Sequence, residues 1–112
     1  MSLQKFCQRP PVTLTPDRSI VDACHVLQEK NVGCLLIEEH GKLCGILTDR
    51  DIALKVTAEK RDPQATKVRE VMSTNVTTIP VTRTLHDLTT VMHTYHVRRV
   101  PIVDGEDKVL GV

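Results

Sequence analysis

Apolar and polar positions alternate in short bursts along this chain, and the bursts come twice in the same order. Val12-Thr13-Leu14-Thr15 has the period of a half-buried strand, and Pro16, which lacks an N–H for a ladder, ends it. Ser19 then stands as an N-cap with Asp22 as the acidic partner of a capping box, and Ile20, Ala23, Cys24 and Leu27 fall on one helical face. The apolar run Cys34-Leu35-Leu36-Ile37 has the length of a buried strand. Glu38-Glu39-His40-Gly41 turns the chain into a further strand, Leu43 to Leu47. From Asp49 to about Ala58 the spacing predicts a helix with Ile52, Ala53 and Val56 inward.

The same sentence of elements then repeats. Val76-Thr77-Thr78-Ile79-Pro80 matches Val12 to Pro16, and Thr84-Leu85-His86-Asp87 matches Ser19 to Asp22. Leu85, Leu88, Met92 and Tyr95 form the second helical stripe. Val97, Val100 and Ile102 match Val32, Leu35 and Ile37, and Lys108 to Val112 matches Lys42 to Ile46. Ordered matches with only single-residue shifts mark an internal duplication. The expected organisation is an N-terminal extension over 1–10, a first repeat over 11–58, a charged linker over 59–73, and a second repeat over 74–112 that lacks its last helix. The fold class is α+β. Pro101 is expected at an edge or a bulge of its sheet, since it cannot donate to a ladder.

Composition narrows the function more by exclusion than by indication. With 15 basic and 14 acidic residues the 112-residue chain carries a net charge of +1, which is no footprint of a nucleic-acid binder. No apolar run approaches the roughly 20 residues of a membrane span, and the N-terminal stretch lacks the apolar segment of a signal peptide. Cys7, Cys24, Cys34 and Cys44 show no C-x-x-C pair and read as reduced packing residues, which fits a cytoplasmic protein. His93 and His96 on one helix, and Cys24-His25 on the other, lack zinc-type spacing, so no metal site is expected. No nucleophile elbow, Walker loop or zincin helix occurs, and no catalytic residue is assigned.

The segment with the most evident chemistry is Thr48-Asp49-Arg50-Asp51. It follows an apolar strand and opens a helix, where unpaired amides and the helix dipole favour phosphate. Thr48 adds a hydroxyl donor, and Asp51 has the acceptors to grip both hydroxyls of a ribose. The same four residues also satisfy a capping box, as Ser19 to Asp22 and Thr84 to Asp87 do, so spacing alone leaves a bare cap as the alternative.

The fragments Val12-Thr13-Leu14, Gly45 to Ile52, Lys67 to Ser73 and Val97 to Asp104, in this order on a duplicated unit, resemble a cystathionine β-synthase (CBS) domain pair, or Bateman module. The resemblance covers almost everything from Pro11 to Val112. It implies two β-α-β-β-α repeats packed with pseudo-two-fold symmetry, a cleft between them for AMP, ADP, ATP or S-adenosylmethionine, no required cofactor, and a homodimer that regulates a partner domain or protein. By the same resemblance Thr13, Leu14, Ile20, Ala23, Val32, Gly33 and Cys34 would hold the base, and Thr48, Arg50, Asp51 and Pro101 belong to the nucleotide site; the adjacent Arg98 and Arg99 could clamp a phosphate or carboxylate, the alternative being solvated charges or dimer contacts. Arg98 matches Gly33 and Arg99 matches Cys34, so the two sites are not equivalent. The competing reading is a ligand-free dimerisation or docking module.

Overall fold

The computed structural model describes Leu3 and residues 11–95, 99–105 and 108–111. Two compact units divide the chain: residues 12–74 form one, and residues 1–11 with 75–112 form the other.

In the first unit β1 (Thr13–Leu14) runs parallel to β2 (Cys34–Glu39), which pairs antiparallel with β3 (Lys42–Thr48), in the sheet order β1-β2-β3. Helix α1 (Ile20–Lys30) connects the parallel pair, the crossover that parallel strands require. Ser19 caps it by accepting the Asp22 N–H at 3.1 Å. Asn31 closes it in the left-handed region at φ 54°, its N–H directed to the carbonyls of Leu27 and Gln28. The β2–β3 hairpin turns at His40 and Gly41, with φ 55° and 77°, the left-handed pair of a type I′ turn. A bulge follows: Ile37 faces Gly45 while Glu38 faces Leu43, leaving Cys44 as the extra residue. Ile20 and Ala23 of α1 pack with Leu35, Ile37, Leu47, Val56, Val68 and Val71 into one core.

Two expectations change here. The helix expected from Asp49 to Ala58 is a short α-helix, α2 (Asp49–Ile52), that widens into a π-helical turn over Ala53–Thr57. The wider turn keeps Val56 buried but leaves Ala53 exposed rather than inward. Nor do residues 59–73 behave as a free linker. Ile20 donates to the Thr66 carbonyl and Val68 to that of Arg18, both at 2.9 Å, while Val68 and Val71 enter the core. Ser73 pairs with Ile46 in both directions at 2.9 Å, covering the outer edge of β3. Charge on this stretch marked its exposed side; Val68 and Val71 are the apolar anchors that pull it in.

The second unit repeats the design on a smaller scale. β4 (Ile79–Pro80) runs parallel to β5 (Ile102–Val103), β5 runs antiparallel to β6 (Val109–Gly111), and α3 (Leu85–Tyr95) makes the crossover. Pro101 precedes β5 instead of interrupting it, is buried, and its carbonyl accepts the Ile79 N–H at 3.0 Å. The sequence treats residues 1–10 as an extension, yet Leu3 is fully buried with Ile79, Val100 and Ile102. Its N–H donates to the Arg83 carbonyl at 2.9 Å, as that of Val68 does to Arg18, the matching residue of the first repeat. Leu3 and Val68 are therefore equivalent anchors, one for each repeat.

Candidate functional site

The end of the β2–β3 ladder gathers most of the residues singled out in the first repeat. Cys34 and Thr48 are direct cross-strand partners, and the Asp49 N–H donates to the Gly33 carbonyl at 3.0 Å. That bond ties the Val32-Gly33-Cys34 loop to the Thr48–Asp51 turn. Val32, 36% exposed, supplies the aliphatic surface there.

The turn itself is a complete capping box. Asp51 N–H donates to Thr48 Oγ1 at 3.1 Å, and Thr48 N–H donates to Asp51 Oδ2 at 3.0 Å. Arg50 N–H donates to Asp49 Oδ1 at 2.8 Å. Each amide from Thr48 to Asp51 thus has an acceptor within the chain, so the open amides expected to receive a phosphate are already engaged. The physical reason is proximity: a side-chain oxygen three residues along a helix start reaches the amide at no cost in chain closure. Thr84 and Asp87 make the same pair of bonds at 3.0 and 3.1 Å, so the box alone does not distinguish a site.

Ligand-binding capacity remains in the side chains. The Thr48 hydroxyl accepts one bond and keeps its own proton to donate, and a carboxylate has about four acceptor positions. Asp51, whose side chain is 16% exposed, uses Oδ2 for Thr48 and Oδ1 for Lys55, whose ammonium lies 3.2 Å away. Lys55 also donates to the Val71 carbonyl at 3.1 Å. Sequence reading missed Lys55, although a carboxylate and a lysine four residues apart on a helix signal such a pair.

The other candidates are dispersed. Ile20 and Ala23 are fully buried in the core and have no face to offer a base. Thr13 and Leu14 sit opposite Leu36 and Ile37, and with Arg18, Glu38 and His40 they line an open pocket of about 320 Å³ toward the hairpin end, away from Thr48. Arg50 and Arg99 are exposed, and Arg98 lies outside the described residues, as do Cys7, His96 and Val112. Among the described residues no cluster of three metal-ligating side chains occurs, and no helix is long and apolar enough to cross a membrane. Burial pushes the Cys24 thiol above its ordinary range; burial, then the charge of Glu39, does so for Cys44.

A β-α-β-β unit used twice, with a strand-to-helix junction carrying a hydroxyl and a carboxylate, defines a duplicated α+β module. The chain belongs to the CBS-domain family: the family model for the CBS domain matches residues 3–57 and 68–112. It is similar to the CBS domain-containing protein YhcV of Bacillus subtilis, 41% identical over 100 residues that span 89% of this chain and 70% of that one. The crystal structure of the CBS domain pair of protein MJ0100, in complex with 5′-methylthioadenosine and S-adenosyl-L-methionine, superposes with a TM-score of 0.84 at 32% identity, covering 98% of this chain and 89% of that chain. Inosine-5′-monophosphate dehydrogenase of Halalkalibacterium halodurans is 31% identical over 104 residues, 91% of this chain but 20% of the enzyme.

Proposed function

We propose that this chain is a regulatory module whose first repeat binds an adenosine-containing ligand, from the class of AMP, ADP, ATP and S-adenosylmethionine, at the junction of β3 and α2. The observation that carries the reading is the convergence of Thr48 Oγ1, the Asp51 carboxylate and the Val32–Cys34 loop at one ladder end. Asp51 accepts the ribose hydroxyls with its remaining lone pairs, Thr48 donates to the ligand, and Val32 flanks the base. Engaged amides at the helix start weigh against phosphate as the principal anchor and favour the ribose. The ligands of the MJ0100 domain pair support this order, since 5′-methylthioadenosine and S-adenosyl-L-methionine both carry adenine on a ribose with free 2′ and 3′ hydroxyls and neither carries a phosphate.

Regulation rather than catalysis is the proposed role, because a match to a fifth of an enzyme's length carries no activity to this chain. A homodimer, a cytoplasmic location and a regulated partner domain or protein complete the proposal. The test is a thermal-shift series with adenosine, AMP, ATP, 5′-methylthioadenosine and S-adenosylmethionine. A ligand at about 100 times its dissociation constant stabilises the fold by about 2.7 kcal/mol. For a domain of this size the melting midpoint then rises on the order of ten degrees. A flat response across the series returns the chain to the docking reading, which the identical box at Thr84 and Asp87 favours.

A further inference from the structure

Lys55 belongs neither to the cap nor to the core, and its two partners set it apart from an ordinary surface lysine. One is the Asp51 carboxylate, a helical turn back, at 3.2 Å; the other is the Val71 carbonyl at 3.1 Å, from a remote stretch of chain. Both partners are themselves held. Asp51 is fixed by the Thr48 N–H, and Val71 is buried in the core. Directly after Val71, Met72 packs against Gly45, and Ser73 pairs with Ile46 through both its N–H and its carbonyl. Thr74 is the last residue of the first unit and Asn75 the first of the second-repeat segment. One flexible ammonium, its side chain 48% exposed, therefore joins the ribose-accepting carboxylate to the stretch that leads into the second repeat.

A pair of opposite charges four residues apart on a helix is ordinarily worth a few tenths of a kcal/mol and needs no function. That account covers the Asp51 contact and leaves the backbone carbonyl unexplained. A carboxylate that accepts ribose hydroxyls has less negative charge to offer Lys55, and an anionic group on the ligand competes for the same ammonium.

We infer that Lys55 couples the occupancy of Asp51 to the 71–73 stretch: a ligand on Asp51 weakens the carboxylate's hold on the ammonium, which then leaves the Val71 carbonyl, and the Ser73–Ile46 pairing loosens. This is regulation of the proposed site and rests on that reading, whereas the Asp51–Lys55–Val71 link itself does not. Such a shift follows only if the ligand binds the loosened arrangement more tightly.

The experiment is amide hydrogen exchange by NMR on the full chain, read at Ser73, whose N–H donates to Ile46. Without ligand, Lys55→Met and Asp51→Asn each raise the Ser73 rate about two- to fivefold, the scale of an exposed ion pair. Asp51→Asn keeps an amide oxygen to accept the Thr48 N–H, so the cap survives. The double variant exchanges no faster than Lys55→Met alone, and Lys55→Arg restores the wild-type rate. Either single variant exchanging at the wild-type rate overturns the link. With saturating 5′-methylthioadenosine, wild type shows a faster Ser73 rate, and Lys55→Met binds without any change. Binding that leaves the wild-type Ser73 rate unaltered overturns the coupling and spares the ligand reading. Failure of wild type to bind any adenosine ligand overturns both, while the ligand-free rates still decide the link.

Discussion

Met72 lies directly against Gly45: a β-carbon at residue 45 would stand 2.6 Å from Met72 Sδ and 3.0 Å from the Ser73 carbonyl oxygen. Glycine is required there by close approach of the covering stretch to β3. Gly45→Ala is expected to cost about 1–3 kcal/mol, the usual penalty of overpacking, measured by urea denaturation. Adding Met72→Ala relieves the sulfur contact but not the backbone one, so the double variant recovers only part of the loss. Full stability in Gly45→Ala alone contradicts the tight approach.

Asp51 and Asp87 form matching boxes, which makes them an internal control. Asp51→Ala and Asp87→Ala should each lose about 0.5–1.5 kcal/mol of stability, the scale of the one side-chain hydrogen bond to the cap residue's N–H that each removes. Asp51→Ala alone should also weaken ribose-containing ligands by roughly 1–3 kcal/mol in calorimetry. Equal affinities in the two variants would mean that Asp51 is only a cap.

Leu3 should matter to the second repeat as Val68 does to the first. Leu3→Ala empties a fully buried site and is expected to cost about 2–5 kcal/mol. Hydrogen exchange should show protection falling first at the amides of Ile79 and Val81, which bond to Pro101 and Val103. A uniform change across both units argues against local anchoring.

Acid should weaken the fold through three carboxylates held below their ordinary range. For Asp22 the main cause is the Arg18 guanidinium; for Glu70 it is the Lys67 N–H, then Arg61; for Asp87 it is the Thr84 N–H. A lowered folded pKa contributes stability above the unfolded value and loses it as pH falls through the folded one. The decline therefore starts near the ordinary values of 4.5 for Glu70 and 3.8 for the aspartates and continues below them. Urea midpoints against pH should show a shallower acid limb for Asp87→Asn. An unchanged limb removes Asp87 from the account.

The duplication was legible because each repeat spells its elements locally: a period-two strand, a capped helix and an apolar run between turn residues. The Thr48–Asp51 box was legible for the same reason, since its partners are three residues apart. The Lys55–Val71 bond, the anchoring of Leu3 and the covering stretch were not, because their partners are remote in sequence or are backbone carbonyls, which leave no mark in side-chain pattern.

By itself, then, the order of residues determined the two β-α-β-β repeats, the membership that follows from them, and the position of the turn in which a hydroxyl and a carboxylate directly follow an apolar strand. Tertiary structure alone decided that the amides of this turn are taken, that Ile20 and Ala23 are sealed in the core, and that residues 66–73 are bound along the first unit. Periodicity reports which face of an element is apolar. It is silent on which oxygen satisfies a given N–H, and that choice governs what a ligand finds.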